Sequence, residues 1–560
     1  MIKKNYLLTL LGIILTLLTF HNSFSQVNQE WVARYNGSID SIDEAYSIAV
    51  DNSGNSYVTG RSGGIGITKD YATIKYNSSG VQQWVARYNG PGNDRDETNS
   101  IAVDNSGNSY VTGFSTGLGT GYDYATIKYN SSGTQEWVAR YNGPGNGNDF
   151  AYSIVVDNSG NVYVTGGSLG NVTNYLEYAT VKYNSVGVQL WVGRYSSTSN
   201  FGAVAKSIAL DDPGNVYVTG FSYASGSDYD YATVKYNQAG AEQWAVRYNG
   251  PGNYTDYANS IAVDGTGNVY ITGESSATGI GSADYTTIKY NSSGIQQWIS
   301  RLSEGSGQSI AINDSGNVYV TGSFYGDTGN VLDYGTIKYN SIGQQLWFAC
   351  YNGIGNIGDY GRSLVLDKSG NVYVTGSTLV PIGTGGSSGN YATIKYNSQG
   401  IQQWAAVYDG PGNYNDGATS IAVDSSGYVY VTGYSTGSGT GYDYATIKYS
   451  QSNGISQISS IVPEQFSLSQ NYPNPFNPST NLEFEIPESG LVSLKIYDVM
   501  GREIQTLVNE RLAPGKYNYQ FSTDQSAAAD KLLSGVYFYR MSVTGGSGEF
   551  TETKRMILVK

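Results

Sequence analysis

The sequence predicts an all-β chain: an eight-bladed β-propeller of four-stranded antiparallel blades, followed by a small Ig-like β-sandwich. Three observations carry this. The composition suits pleated sheets and tight turns, with 52 Tyr, 73 Gly and only 14% charged residues. All eight tryptophans recur at one repeat position, at Trp31, Trp84, Trp137, Trp191, Trp244, Trp298, Trp347 and Trp404, roughly 53 residues apart. Each repeat also holds four strand-like runs joined by turn residues, typified by "SIAV", "SYVTG", "YATIKY" and "QQWVARY".

The turns fix the sheet order. "DNSGN", as at Asp51 to Asn55, joins the first two runs, and "NSSG", as at Asn77 to Gly80, joins the last two. Both suit a type I turn closed by a glycine with φ > 0, so the four runs form one hairpin-connected sheet. A four-stranded unit of this length matches a propeller blade, whereas solenoid rungs are usually shorter and parallel. Eight first strands begin at Ser47, Ser100, Ser153, Ser207, Ser260, Ser309, Ser363 and Ser420. A Trp-bearing run, Val27 to Tyr35, precedes the first of them, and the last repeat ends on "YATIKY" (Tyr444 to Tyr449) with no tryptophan after it. The N-terminal run is therefore expected to complete the eighth blade and leave no free edge.

Composition also excludes functions. The chain has a formal net charge of −14 and a single histidine, His21. Lys3 and Lys4 followed by the apolar run Leu7 to Phe20, too short to span a bilayer, read as a secretory signal cleaved after Ser25. Cleavage there removes His21 and leaves the chain more acidic. Phosphate-driven nucleic-acid binding is not expected of such a chain. Ser-His-Asp triads, Cys-His pairs and His-ligated zinc are excluded as well. Cys350 is the only cysteine, so no internal disulfide forms. No other stretch is long enough to cross a membrane.

The domain reading is residues 1–25 signal peptide, 26–450 propeller, 451–464 linker, and 465–560 a C-terminal module with strand-like "VSLKIYDV" and "GVYFYRM" and a basic end. The recurring "D-x-x-G-N-x-Y-[VI]-T-G" followed by "Y-[AGT]-T-[IV]-K-Y-N" resembles the bacterial SBBP-type β-propeller repeat. The C-terminal module resembles the type A sorting domain of the type IX secretion system. It does so through Asn471-Tyr472-Pro473-Asn474-Pro475-Phe476-Asn477-Pro478, Tyr497-Asp498 with Gly501, Gly535-Val536-Tyr537 and the tail from Lys554-Arg555. That resemblance implies passage through the periplasm, recognition of this domain by the type IX machinery, and a secreted or cell-surface protein.

No catalytic residue, cofactor site or confident metal site is read from the sequence. One constellation is ambiguous: Asp43, Asp96, Asp149, Asp256, Asp359 and Asp416 each stand four residues before the first-strand serine, while Ala203 and Gly305 break the set. Six carboxylates near a channel mouth could hold calcium or select a basic ligand. Alternatively, each accepts backbone hydrogen bonds where a loop enters a strand, which is the reading we adopt. The recurring lysines (Lys75 and its seven equivalents) and the arginines three residues after the tryptophans read as packing, stacking or solubility features. Binding is expected on the face carrying the longer loops, such as 89–99 and 377–389. The functional reading is a non-catalytic module for a glycan or protein ligand. The alternatives are a carboxylate-based extracellular glycosidase, which needs no histidine, and a structural surface-layer component.

Overall fold

The computed structural model describes residues 27–37, 42–64, 68–171, 175–197, 201–276, 283–326, 331–383, 386–451, 455–459, 461–522, 532–545 and 548–559. The proposed signal peptide, with His21, lies outside them. Every regular element described is a strand. The chain divides into two compact units, one ending at Ser452 and the other running from Asn453 to Lys560.

The first unit is an eight-bladed propeller. Blade 1 runs Glu44–Val50, Ser56–Gly63, Lys69–Tyr76 and Gln82–Tyr88, each strand antiparallel to the next. Six further blades repeat that order, with inner strands Asp96–Val103, Asp149–Val156, Ala203–Leu210, Asp256–Val263, Gly305–Ile312 and Asp359–Leu366. Blade 8 takes Asp416–Val423, Val429–Thr436 and Tyr442–Gln451 from one end of the repeat region, and its outer strand, Val27–Tyr35, from the other. The register runs from Val27 opposite Gln451 to Tyr35 opposite Tyr444. Each inner strand touches the next, and the eighth touches the first, so the ring is closed.

The tyrosines explain how blades adhere. Apolar cores form between neighbouring blades: Tyr57 and Tyr71 of blade 1 pack with Ile101, Val111, Ala125, Ile127 and Tyr129 of blade 2. Each third strand carries a fully buried tyrosine whose hydroxyl needs a partner once desolvated. It finds one in the third strand of the next blade. Tyr71 donates to Ala125 O, Tyr124 to Ala179 O and Tyr178 to Ala232 O, and the series ends with Tyr444 donating to Ala72 O across the closure. One residue type thus supplies both apolar area and a directional link, which accounts for the abundance of tyrosine in this chain.

A second stitch joins the outer strands. Trp84 Nε1 and Lys75 Nζ both donate to Ser131 O, in the "NSSG" turn of blade 2. The glycine closing each such turn is required twice over. Gly133 sits at φ +83°, and a Cβ there would lie 2.6 Å from the Trp84 ring. Blade 8 has no such turn, because its outer strand comes from the other end of the chain. Trp404, which faces it, is accordingly the one tryptophan whose buried Nε1 has no partner among the described residues.

The second unit is a two-sheet sandwich. One sheet orders Ile455–Ser459, Gly515–Ser522, Ser479–Ile486 and Ser467–Leu468; the other orders Glu503–Leu512, Gly490–Tyr497, Gly535–Gly545 and Gly548–Leu558. Leu482 and Phe484 of the first sheet share a core with Leu494, Ile496, Tyr539 and Met541 of the second. One expectation is corrected here. The segment 451–464 is not simply a linker, since Ile455 pairs with Tyr519 in the first sheet. The basic end forms part of the final strand, which holds Lys554 and Arg555.

Candidate functional site

The two ends of the propeller differ in chemistry. On one, the "DNSGN" turns are saturated. Asp51 Oδ1 accepts the Ser53 and Asn55 amides, and Oδ2 accepts Asn55 Nδ2 and the Tyr57 hydroxyl. The same set recurs at Asp104 and Asp157. Burial alone would raise these carboxyls, but the hydrogen bonds outweigh it and hold them below the usual carboxylate range. Each of these three carboxylates is thus satisfied by its own turn.

The six aspartates singled out from the sequence open their inner strands, or in Asp43 immediately precede one, and are buried inside the blades. Asp96 shows the pattern. Its Oδ2 accepts the Gly90 amide at 2.7 Å and its Oδ1 the Thr116 amide at 3.0 Å, tying the interblade loop to the end of the second strand. Asp43, Asp149, Asp256 and Asp416 make the same pair of bonds, and Asp359 keeps the first of them. A Cβ on Gly90 would fall 2.0 Å from Ser115 Oγ, so the donor must be glycine. Burial pushes each of these carboxyls above its ordinary range, against the amides that lower it. Among the described residues, no group of three or more His, Cys, Asp or Glu side chains is placed to hold a metal ion.

The outer-strand arginines are ion-pair anchors, not the stacking or solubility features expected. Arg140 donates to Asp123 Oδ2 at 2.8 Å and Ser115 Oγ at 2.7 Å within its blade, and to Tyr88 Oη of the preceding blade at 3.1 Å. Five other blades repeat the arrangement.

What remains for function is the other end, where the repeat breaks. The loop 89–99 proves shorter than expected, because Asp96–Val103 is already strand; most of 377–389 is a hairpin that extends blade 7, paired from Leu379 opposite Gly389 to Ile382 opposite Gly386. The singular residues lie elsewhere, at two positions. The first is a β-bulge in each inner strand, just before the serine. It carries Tyr46, Asn99, Tyr152, Lys206, Asn259, Gln308, Arg362 and Thr419 around the inner rim. These side chains reach neighbouring inner strands: Asn99 Nδ2 donates to Ala151 O, Asn259 Nδ2 to Gly307 O and Thr419 Oγ1 to Ala45 O. Lys206 Nζ sits 4.1 Å from the ring centre of Tyr152 on the adjacent blade. The second position is two residues earlier and carries Glu44, Glu97, Phe150, Val204, Tyr257, Ser306, Tyr360 and Gly417.

Two clusters stand out around the rim. Blades 1 and 2 hold a charged network in which Arg61 pairs with Glu44 at 2.6 Å and Glu97 at 2.7 Å, and Arg95 with Glu97 at 2.7 Å. Blades 3 to 5 hold aromatics. Phe221 lies 4.7 Å from Tyr257 and 5.2 Å from Tyr229; Tyr229 lies 5.6 Å from Tyr223, Tyr223 4.7 Å from Phe201, and Phe201 5.6 Å from Tyr175. Tyr175 opens onto a cleft of about 410 Å³ lined also by Gly147, Asn148, Phe150, Leu169 and Leu176. Sequence reasoning stressed loop length and the near-identity of the blades. The signal that finds this site is the reverse: positions that vary between blades where everything around them repeats.

In the second unit the predicted sorting motif is folded against the last strand. Asn471 is buried, with its amide donating to Tyr539 Oη and its Nδ2 to Thr480 Oγ1. Asn474 Oδ1 accepts the Ile557 amide, and Phe476 exchanges backbone hydrogen bonds with Ile557 and Val559 while its ring enters the core. Gly501, at φ +76°, closes the turn that Asp498 caps, and Gly535 begins its strand. Tyr472, Pro473 and Pro475 are exposed.

Comparison with known proteins agrees with this organisation. A beta-propeller repeat model (SBBP) matches residues 30–66, 83–119, 136–172, 243–281, 351–383 and 410–439. The two repeats it passes over are those whose inner strands begin at Ala203 and Gly305 in place of aspartate. A model of the secretion system C-terminal sorting domain matches residues 470–559. No curated protein matches the chain. Among solved structures, the type IX secretion-system surface component PorZ of Porphyromonas gingivalis is 15% identical, with a TM-score of 0.40, over 92% of this chain and 70% of that one. A protein of unknown function from Dyadobacter fermentans is 11% identical with a TM-score of 0.32, over 53% of this chain and 93% of that one. A copper-containing fungal alcohol oxidase is 11% identical with a TM-score of 0.36, over 82% and 96%. No helix among the described residues is long and apolar enough to cross a membrane. The chain is an SBBP-type β-propeller repeat protein with a type IX secretion system C-terminal sorting domain, exported to the cell surface or the medium.

Proposed function

We propose that the propeller is a non-catalytic binding module for a glycan or protein ligand, and that the ligand docks on the end bearing the rim and the aromatic arc of blades 3 to 5. The arc is the observation that supports this most directly. Phe201 and Tyr175 remain about half exposed although each has ring neighbours to pack against. Aromatic side chains of this kind bring large contact area with little conformational freedom to lose. The polar residues elsewhere in the propeller are spent on turns and blade-to-blade ties, which repeat. Catalysis instead needs a few groups in distinct environments. We expect binding without turnover.

The export route is part of the same reading: residues 1–25 direct passage into the periplasm and are removed there, and the sorting domain then carries the propeller across the outer membrane. Probing the exported full-length protein on glycan and protein arrays tests the binding reading. Retention of a bound species after Tyr223→Ala plus Phe201→Ala would refute the assigned face. A chain ended at Ser452 should accumulate in the periplasm, and its normal appearance outside the cell would refute the role of the sorting domain.

A further inference from the structure

We propose that the ligand is an acidic polysaccharide, lying along the aromatic track with one of its carboxylates seated on Lys206; the proposal rests on the binding reading above and adds the chemistry of the ligand.

The fold accounts for nearly every cation near the rim. Arg61 and Arg95 are neutralised by Glu44 and Glu97, and the outer-strand arginines by buried carboxylates. Lys206 and Arg362 are different. They are the only charged residues at the eight bulge positions, both are cations, and neither enters an ion pair among the described residues. Two unopposed cations, with no carboxylate at any of the eight bulge positions, are unexpected in a chain of net charge −14. Lys206 is half-buried, with its ammonium over Tyr152 and 5.8 Å from the ring centre of Phe221. Burial works against its charge, so an anionic ligand group would be held there by a partly desolvated cation, where ion pairing is strongest.

Phe221 is also the first ring of the track that runs through Tyr229, Tyr223 and Phe201 to Tyr175. The cation therefore stands at one end of a row of rings and the cleft at the other. Apart from the two phenylalanines, each ring presents a flat face and a hydroxyl edge. That alternation suits a pyranose, with its C–H faces and hydroxyl rim.

The test uses the exported full-length protein with polygalacturonate, alginate and hyaluronan as probes, and methyl-esterified polygalacturonate, dextran and poly-glutamate as controls. At least one uronate polymer should bind, with affinity falling as salt rises, and the esterified polymer should bind at least about tenfold more weakly, as loss of a charge-assisted contact implies. Lys206→Met should reproduce that loss at an unchanged melting temperature, Lys206→Arg should restore most of it, and Tyr223→Ala should abolish binding. Equal binding of dextran or the esterified polymer, still lost with Tyr223→Ala, would leave the face intact and overturn the acidic ligand. Poly-glutamate binding as tightly as the uronates would overturn the polysaccharide. Failure of all three uronate polymers, or an unaffected Lys206→Met, would overturn the proposal.

Discussion

The two ends of this propeller are built from the same strands and solve opposite problems. At the turn end every carboxylate oxygen of Asp51, Asp104 and Asp157 is taken, and each turn is a near copy of the next. At the rim end the same strands diverge by one residue at the bulge and one two positions earlier, and an ion-pair network forms on blades 1 and 2 while a chain of rings forms on blades 3 to 5. The lesson is how a repeat acquires a site. The hydrogen-bond networks of the turns and outer strands are copied, and individuality is concentrated at the bulge and at the position two residues before it. Changes to copied residues should cost stability and spare binding; changes at the rim should do the reverse.

The largest effect should come from opening the ring. Deleting residues 26–36 strips blade 8 of its outer strand and exposes Tyr442–Gln451 as an edge. A fall in melting temperature of more than about 10 °C, or aggregation seen by light scattering, is expected. An unchanged, monomeric protein would contradict closure. Next in size is Arg140→Ala, which leaves Asp123 buried without its cation and Tyr88 without its link. Denaturant titration should show a loss of about 3–5 kcal/mol.

Asp104→Asn should cost less, about 1–3 kcal/mol near neutral pH, from hydrogen bonds to a charged acceptor. The pH dependence has a definite sign. Because this carboxyl is held below its unfolded value, its stabilisation is present above that value and is lost as the pH falls through the folded one. The gap in melting temperature between wild type and variant should therefore close below about pH 4. Smaller still is Phe201→Ala at the rim. The side chain is half exposed, so stability should shift by no more than about 0.5 kcal/mol while binding on the arrays falls.

These contrasts also explain what the sequence made legible. Blade number, strand order and closure follow from tryptophan spacing and turn chemistry, because a repeat forces the same local answer eight times. The sorting motif was legible for a different reason: Asn471 is fixed by bonds to the Tyr539 hydroxyl and Thr480, and Phe476 by backbone pairing to the last strand, so their identities are constrained. The outer-strand arginines were misread because their partners are distant. Arg34 meets Asp443 and Tyr408 only once the ring has closed. The rim was missed because divergence at Lys206 or Tyr257 looks like noise until the bulge shows that these positions share one edge of the ring. The strand at Ile455–Ser459 escaped notice because its partner lies some sixty residues on, at Gly515–Ser522.

A last small effect has the opposite sign and tests the copying rule most sharply. Blade 6 departs from the arginine network at three positions together: Cys350 replaces the arginine, Leu302 the tyrosine of the preceding blade, and Phe324 the second-strand serine. Blade 7 loses its arginine too, at Val407, but there the facing aspartate has become Asn390. Blade 6 keeps its aspartate. Asp333 is only 3% exposed, its Oδ1 has no hydrogen-bond partner among the described residues, and its Oδ2 meets only the Cys350 thiol at 3.6 Å. Burial pushes this carboxyl above its usual range, against the thiol. A raised folded value means that the ionised form costs stability at neutral pH, a cost relieved as the pH falls. Asp333→Asn, which copies blade 7, should therefore raise stability at pH 7 by under about 1 kcal/mol, because an uncompensated buried charge is removed while the shape is kept. Asp123→Asn in blade 2 is the same change beside an intact arginine and should lower it. Thermal melts of the two variants decide the point: losses in both would show that blade 6 holds its carboxylate for some interaction beyond the network, and opposite signs would show that a copied residue is stabilising only while its partners are copied with it.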